Sequence, residues 1–156
     1  MSQKVIEGSS GISDAKIGIV VARWNSAVTE LMLEGALDAL KGNGIKEDDI
    51  IVVRCPGAYE IPLACQHLLT HQKVDGVIAI GAVIRGGTPH FEYVCDAVNR
   101  GVMDLNLKYQ TPVAFGVLTT DDVKQALDRA GSNGNKGGEA ALALLEMIDL
   151  GRKLSA

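Results

Sequence analysis

His90 lies in the stretch Gly81 to Val94, GAVIRGGTPHFEYV, just after a Gly86-Gly87 pair and Thr88. A strand that ends in a Gly/Thr turn and runs into a helix start can turn backbone N–H groups toward an anion. An imidazole at the same corner can take and give a proton near neutral pH. One segment therefore offers a phosphate cradle and a titratable group together. In isolation a capping or surface role for His90 carries equal weight; the adjacent glycines and threonine tip the reading toward function.

Other residues have chemistry to weigh. Trp24 sits in a polar R-W-N-S turn, where ring stacking on a ligand is a better reading than core packing. Glu60 can bind hydroxyls or cap a helix N-terminus. Arg129 and Lys136 flank the Gly-rich stretch GSNGNKGG, a setting that suits anion contact, although such charges are ordinarily solvated. Arg85 is not separable by spacing from a structural ion pair. His67 and His71 have the i, i+4 spacing of a metal pair, but no Glu follows His67 and no third ligand is evident. Surface histidines are the better reading, and no metal is expected. There is no P-loop, dinucleotide fingerprint, nucleophile elbow or zinc pattern.

These residues need elements to position them, and the chain of 156 residues supplies one domain's worth. The first strand is Lys16 to Ala22, KIGIVVA, a near-continuous apolar run of the kind a doubly covered parallel sheet requires. Ser26 is the expected cap of a first helix whose stripe is Val28, Leu31, Met32, Gly35, Ala36, Ala39 and Leu40. A second strand spans 50–54 and a second helix about 60–72. A third strand spans 76–80 and a long third helix about 90–109. The fourth strand spans 113–118, and a short helix over 121–130 is capped by Thr119 or Thr120. Residues 131–138 read as a flexible turn. The last helix, from Glu139 to about Leu154, is apolar almost all round, so its second face is expected to meet another subunit. The β-α-β-α-β-α-β-α-α order gives a three-layer α/β/α sandwich on a four-stranded parallel sheet, flavodoxin-like, with right-handed crossovers. Ligands in such folds bind at the carboxyl ends of the strands. Five of the six aromatics, Trp24, Tyr59, Phe91, Tyr93 and Phe115, fall in or near that edge. Residues 1–14, polar and Gly/Ser-rich, read as a tail or an arm that pairs with another chain, and 15–156 as a single domain.

Composition narrows the class. Hydrophobic residues make up 47%, and the formal net charge is −4 without a basic patch, which argues against nucleic acid. No apolar run approaches the roughly 18 residues of a membrane span, and no leader is evident. Three widely spaced cysteines, Cys55, Cys65 and Cys95, read as reduced thiols in a cytoplasmic protein.

The segments KIGIVVARWN, PGAYEIPLA, GAVIRGGTPHFEYV, FGVLTTD and RAG…GNKG occur in this order at family-like spacing. Together they resemble the 6,7-dimethyl-8-ribityllumazine synthase family over nearly the whole chain. The resemblance implies condensation of 5-amino-6-(D-ribitylamino)uracil with L-3,4-dihydroxy-2-butanone 4-phosphate, releasing phosphate and water, without cofactor or metal. It implies that Trp24 stacks on the pyrimidine, beside Asn25. Ala58, Tyr59 and Glu60 hold the ribityl chain, and Ala82, Val83 and Ile84 read the pyrimidine edge. Gly87, Thr88 and Arg129 form the phosphate site, and His90 carries protons. Phe115 comes from a neighbouring subunit, and Lys136 lies close to the site. The resemblance further implies homopentamers, which in some members pack as a 60-subunit icosahedral shell, and riboflavin synthase as a partner. The Arg129–Lys136 turn is one residue shorter than the common RAGT-x-AGNKG form, which leaves the placement of Lys136 open and favours the shell. Two other classes stand beside this one. A shell-forming or flavin-binding relative without synthase activity is disfavoured by His90 and Arg129. A receiver-like signalling domain lacks its acidic cluster, because the turn after the first strand reads Arg23-Trp24-Asn25.

Overall fold

The computed structural model describes residues 3–156. In chain order the elements are β1 (Ile17–Ala22), α1 (Ser26–Gly42), β2 (Ile50–Cys55), α2 (Ile61–His71), β3 (Gly76–Ile84), α3 (His90–Tyr109), β4 (Val113–Thr120), α4 (Val123–Asp128), β5 (Ala130–Gly131), β6 (Gly134–Asn135) and α5 (Lys136–Ser155). The main sheet has the order β2-β1-β3-β4, and all its pairings are parallel. Helices cover both faces, as a three-layer sandwich requires.

Strand alternation explains the layers. Ile17, Ile19 and Val21 point into a core built with α1, α5 and Ala126 of α4. Val20 and Ala22 point the other way, into a core built with α2 and α3. β1 is buried along its whole length, which accounts for its unbroken apolar run. Each fully buried Ile or Leu contributes about 1.5–3 kcal/mol. At the crossing of α1 and α5, a side chain on Gly137 would collide with the backbone of Met32, so only glycine admits this approach.

Several boundaries differ from the sequence reading. β3 runs to Ile84 rather than ending at Ile80, because β4 pairs with it to Val83↔Thr119 and Ile84↔Thr120. Ser26 is the first residue of α1, and Asn25 holds the cap position in a left-handed conformation (φ 64°). The cap of α4 is Asp122, whose side chain accepts from the Gln125 N–H at 2.8 Å; Thr120 donates to the Asp122 carbonyl instead. The stretch 131–138 is not a loose turn but a two-residue antiparallel hairpin that leads directly into α5. Asn135 makes it so. Its Oδ1 accepts from the N–H groups of Gly137 and Gly138, and its Nδ2 donates to the carbonyls of Leu31 and Ala130.

Residues 3–16 form no helix or strand and lie along α5. The Ser9 N–H donates to Asp149 (2.7 Å), Lys153 to the Glu7 carbonyl (2.9 Å) and Arg152 to Asp14 (2.9 Å). Met1 and Ser2 of the expected arm lie outside the described residues. Among the described residues no helix is long and apolar enough to cross a membrane. All three cysteines are free thiols. Cys55 and Cys65 are buried, and Cys95 is partly so.

Candidate active site

The chain leaves β1 toward β2 and returns across it to β3, so strand order reverses between β1 and β3. A crevice opens outside the carboxyl ends of strands at such a reversal. Here it is a cavity of about 470 Å³, lined by residues after β1 (Trp24, Asn25), after β2 (Ala58, Tyr59, Glu60), at the end of β3 (Ala82, Val83, Ile84) and on α3 (His90, Tyr93, Val94).

Local bonds explain how these residues converge. The N–H groups of Arg23 and Trp24 donate to the carbonyls of Cys55 and Pro56, at 2.8 and 2.9 Å, so the β1–β2 ladder continues into the loops. Asn25 Nδ2 donates to the Ala82 carbonyl at 2.9 Å and ties the first loop to the end of β3. The Trp24 ring lies against Gly57, where a Cβ would overlap it. Gly57 is extended (φ −140°), so the glycine answers a need for space, not for an unusual backbone. Glu60 closes the second loop: its Oε1 accepts from the Gly57 N–H at 2.9 Å, and its N–H donates to the Gly57 carbonyl at 3.1 Å. The Glu60 side chain thus closes a short 3-10 turn, Ala58–Glu60, ahead of α2 and makes no capping bond to α2 itself, while it also lines the cavity.

The His90 corner opens α3 with no side-chain cap, apart from a long contact from the His90 N–H to Thr88 Oγ1 at 3.4 Å. Space around Gly86 and Gly87 is open. Backbone donors at the start of this 20-residue helix thus face solvent beside the cavity. Arg85 resolves as a structural clamp. It pairs with Glu92, donates from Nε to Asp121 at 2.9 Å and lies 4.3 Å from the Phe91 ring centre. Its guanidinium holds the Glu92 carboxyl below the usual carboxylate range. Under the cavity, burial pushes the Cys55 thiol up to about 11 and the Cys65 thiol up to about 12, so both stay protonated near neutral pH.

Of the residues the sequence singled out, Trp24, Asn25, Ala58, Tyr59, Glu60, Ala82, Val83, Ile84 and His90 line one cavity. Gly87 and Thr88 are not among its lining residues; they lie exposed in the loop that leads into His90. Phe115, Arg129 and Lys136 do not line it. Phe115 is exposed on the edge strand β4, Arg129 bonds the Gln125 carbonyl at 2.8 Å, and Lys136 is the first residue of α5, 3.5 Å from Glu139. Tyr93 and Val94 were missed as site residues. Their signal was spacing: three and four residues after His90, they share its face of α3. A larger groove, about 620 Å³, lies at the opposite end of the sheet, with Asp75, Leu107, Pro112, Met147 and Arg152 in its walls. It contains none of the singled-out residues, and its charged walls are taken up internally, Arg152 lying 3.7 Å from Asp75.

Fold and crevice define an open parallel α/β sandwich with its cavity where the strand order reverses, the place at which such folds take small ligands. The family model described as 6,7-dimethyl-8-ribityllumazine synthase matches residues 14–152, and the chain belongs to that family. The family is one of riboflavin biosynthesis, in which the lumazine is formed.

Proposed function

We propose that the protein condenses 5-amino-6-(D-ribitylamino)uracil with L-3,4-dihydroxy-2-butanone 4-phosphate to give 6,7-dimethyl-8-ribityllumazine, the penultimate step of riboflavin biosynthesis, as a transferase in the cytoplasm. The observation that carries this reading is the single cavity shared by Trp24, Glu60, the end of β3 and His90.

The exposed Trp24 ring offers a stacking face to the pyrimidine. The β3 backbone at Ala82, Val83 and Ile84 reads the pyrimidine edge, and Tyr59 and Glu60 meet the ribityl hydroxyls. Gly87, Thr88 and the start of α3 take the phosphate. The uracil amine attacks the ketone carbon; water leaves as the C=N bond forms. Loss of a proton from the adjacent, hydroxyl-bearing carbon expels phosphate from the next carbon and leaves an enol. The enol takes up a proton at its terminal carbon to become a methyl ketone, and the ribityl-bearing nitrogen closes the ring on that ketone with loss of water. Each step moves a proton, and His90 at the rim is the group that carries it between the reacting atoms and solvent. Holding both substrates in line supplies much of the acceleration.

Phe115, Arg129 and Lys136 complete the site from a neighbouring copy in a homopentamer. Support comes from exposed apolar side chains on three elements: Ile51 and Val52 on edge strand β2, Phe115 on edge strand β4, and Leu142 and Met147 on α5. The short Arg129–Lys136 turn favours the 60-subunit shell, which native mass measurement separates from a free pentamer. Incubation of the purified protein with both substrates, followed by lumazine fluorescence, tests the reaction. Absence of product rules it out.

A further inference from the structure

The α2 segment His67-Leu68-Leu69-Thr70-His71 places two imidazoles one turn apart on an exposed face. Their ring centres are 5.7 Å apart and their planes 22° from parallel. Two imidazoles on one tetrahedral ion, at about 2.0–2.1 Å per metal–nitrogen bond, have centres roughly 5 Å apart. The rings are stacked, so the side chains must turn for one nitrogen of each to face a common ion, and neither ring is held in a hydrogen bond or ion pair among the described residues. His71 is the last residue of α2, where the helix dipole is negative and a cation is favoured. By contrast, the His90 imidazole stands at a helix start, where the dipole opposes a cation.

We infer that His67 and His71 form a two-histidine chelate for a borderline divalent transition-metal ion, with Cu²⁺ bound more tightly than Ni²⁺ or Zn²⁺. No group of three His, Cys, Asp or Glu side chains suited to a metal occurs among the described residues, so water fills the remaining positions. The chelate is therefore an open, reversible site rather than a structural one. It is separate from the cavity: Glu60 immediately precedes α2, and His67 and His71 lie roughly 10 and 16 Å further along the helix at 1.5 Å per residue.

The test is calorimetric titration of the full, untagged protein with NiCl₂, chosen because Cu²⁺ also oxidises thiols, on the wild type and on His67→Ala, His71→Ala and His90→Ala. The expected result is one Ni²⁺ per chain. Loss of either ligand weakens binding by at least about tenfold, the lower bound seen even for outer-shell partners, while His90→Ala binds as the wild type does. Thermal melting without metal checks that the surface variants remain folded. Absence of Ni²⁺ binding, binding retained in His67→Ala and His71→Ala, or binding lost in His90→Ala would overturn the assignment.

Discussion

Asn25 is where the geometry of the cavity depends on one side chain in two separable ways. Its backbone is left-handed, at φ 64° and ψ 42°, and its amide donates to the Ala82 carbonyl at 2.9 Å. It makes no side-chain capping bond to α1, so capping does not enter. Asn25→Gly keeps the backbone conformation but loses the hydrogen bond, at about 1 kcal/mol for a neutral, partly buried pair. Asn25→Ala loses the bond and also forces an alanine into the left-handed region, at about 1–2 kcal/mol. Glycine's greater freedom in the unfolded chain offsets part of that gap, leaving alanine about 1 kcal/mol worse than glycine. For a chain of this length that is a melting-point difference of about 2–4 °C between the two variants, both lying below the wild type. The assay is thermal unfolding of all three proteins, joined to lumazine formation. Because the bond fixes the Trp24 loop against β3, both variants should also raise the KM for the aminouracil. If Asn25→Ala melts with Asn25→Gly, the backbone argument fails; if both keep the wild-type KM, the bond does not position Trp24.

Arg129→Ala should chiefly raise the KM for the butanone phosphate, and an unchanged KM removes Arg129 from the phosphate site. Thr29 is fully buried with its hydroxyl unpartnered; Thr29→Val, which replaces it with a methyl, should stabilise by about 1 kcal/mol, and a lower melting point contradicts this. The buried thiols set an alkaline limit. The ordinary thiol value is 9.0, and the folded chain holds Cys55 up to about 11 and Cys65 up to about 12. Between about pH 9 and 12 the unfolded chain gives up thiol protons that the folded chain keeps, so the thiols' contribution to stability is constant below that window and falls as pH rises through it. Denaturant melts across this range on wild type and Cys65→Ala should show a shallower fall in the variant; parallel slopes refute the cause.

Much of this was legible in the sequence because local pattern and tertiary demand agreed. The stripe Val94, Val98, Val102 and Leu105 gave α3 its limits, and the apolar run of β1 announced a strand covered on both sides. Strand order at the sheet's centre then brought Trp24, Glu60 and His90 together. What was missed depends on distant partners. The third strand reads as ending at Ile80, yet β4 pairs with β3 beyond it to Ile84. The Gly-rich stretch before α5 reads as loose, yet Asn135 anchors it to Leu31 across 104 positions of chain. Nothing local to Asn25 announces that its amide reaches Ala82. Phe115, Arg129 and Lys136 point to a limit of another kind, since one chain does not bring them to its own cavity.

His90 is the proposed proton carrier at that cavity, and the turnover number of His90→Ala in lumazine formation tests this role most directly. The expected fall is about 10²-fold or somewhat less, the low end for general acid–base catalysis, because binding and alignment persist without the imidazole. A His90→Ala enzyme that forms lumazine at the wild-type rate would contradict it.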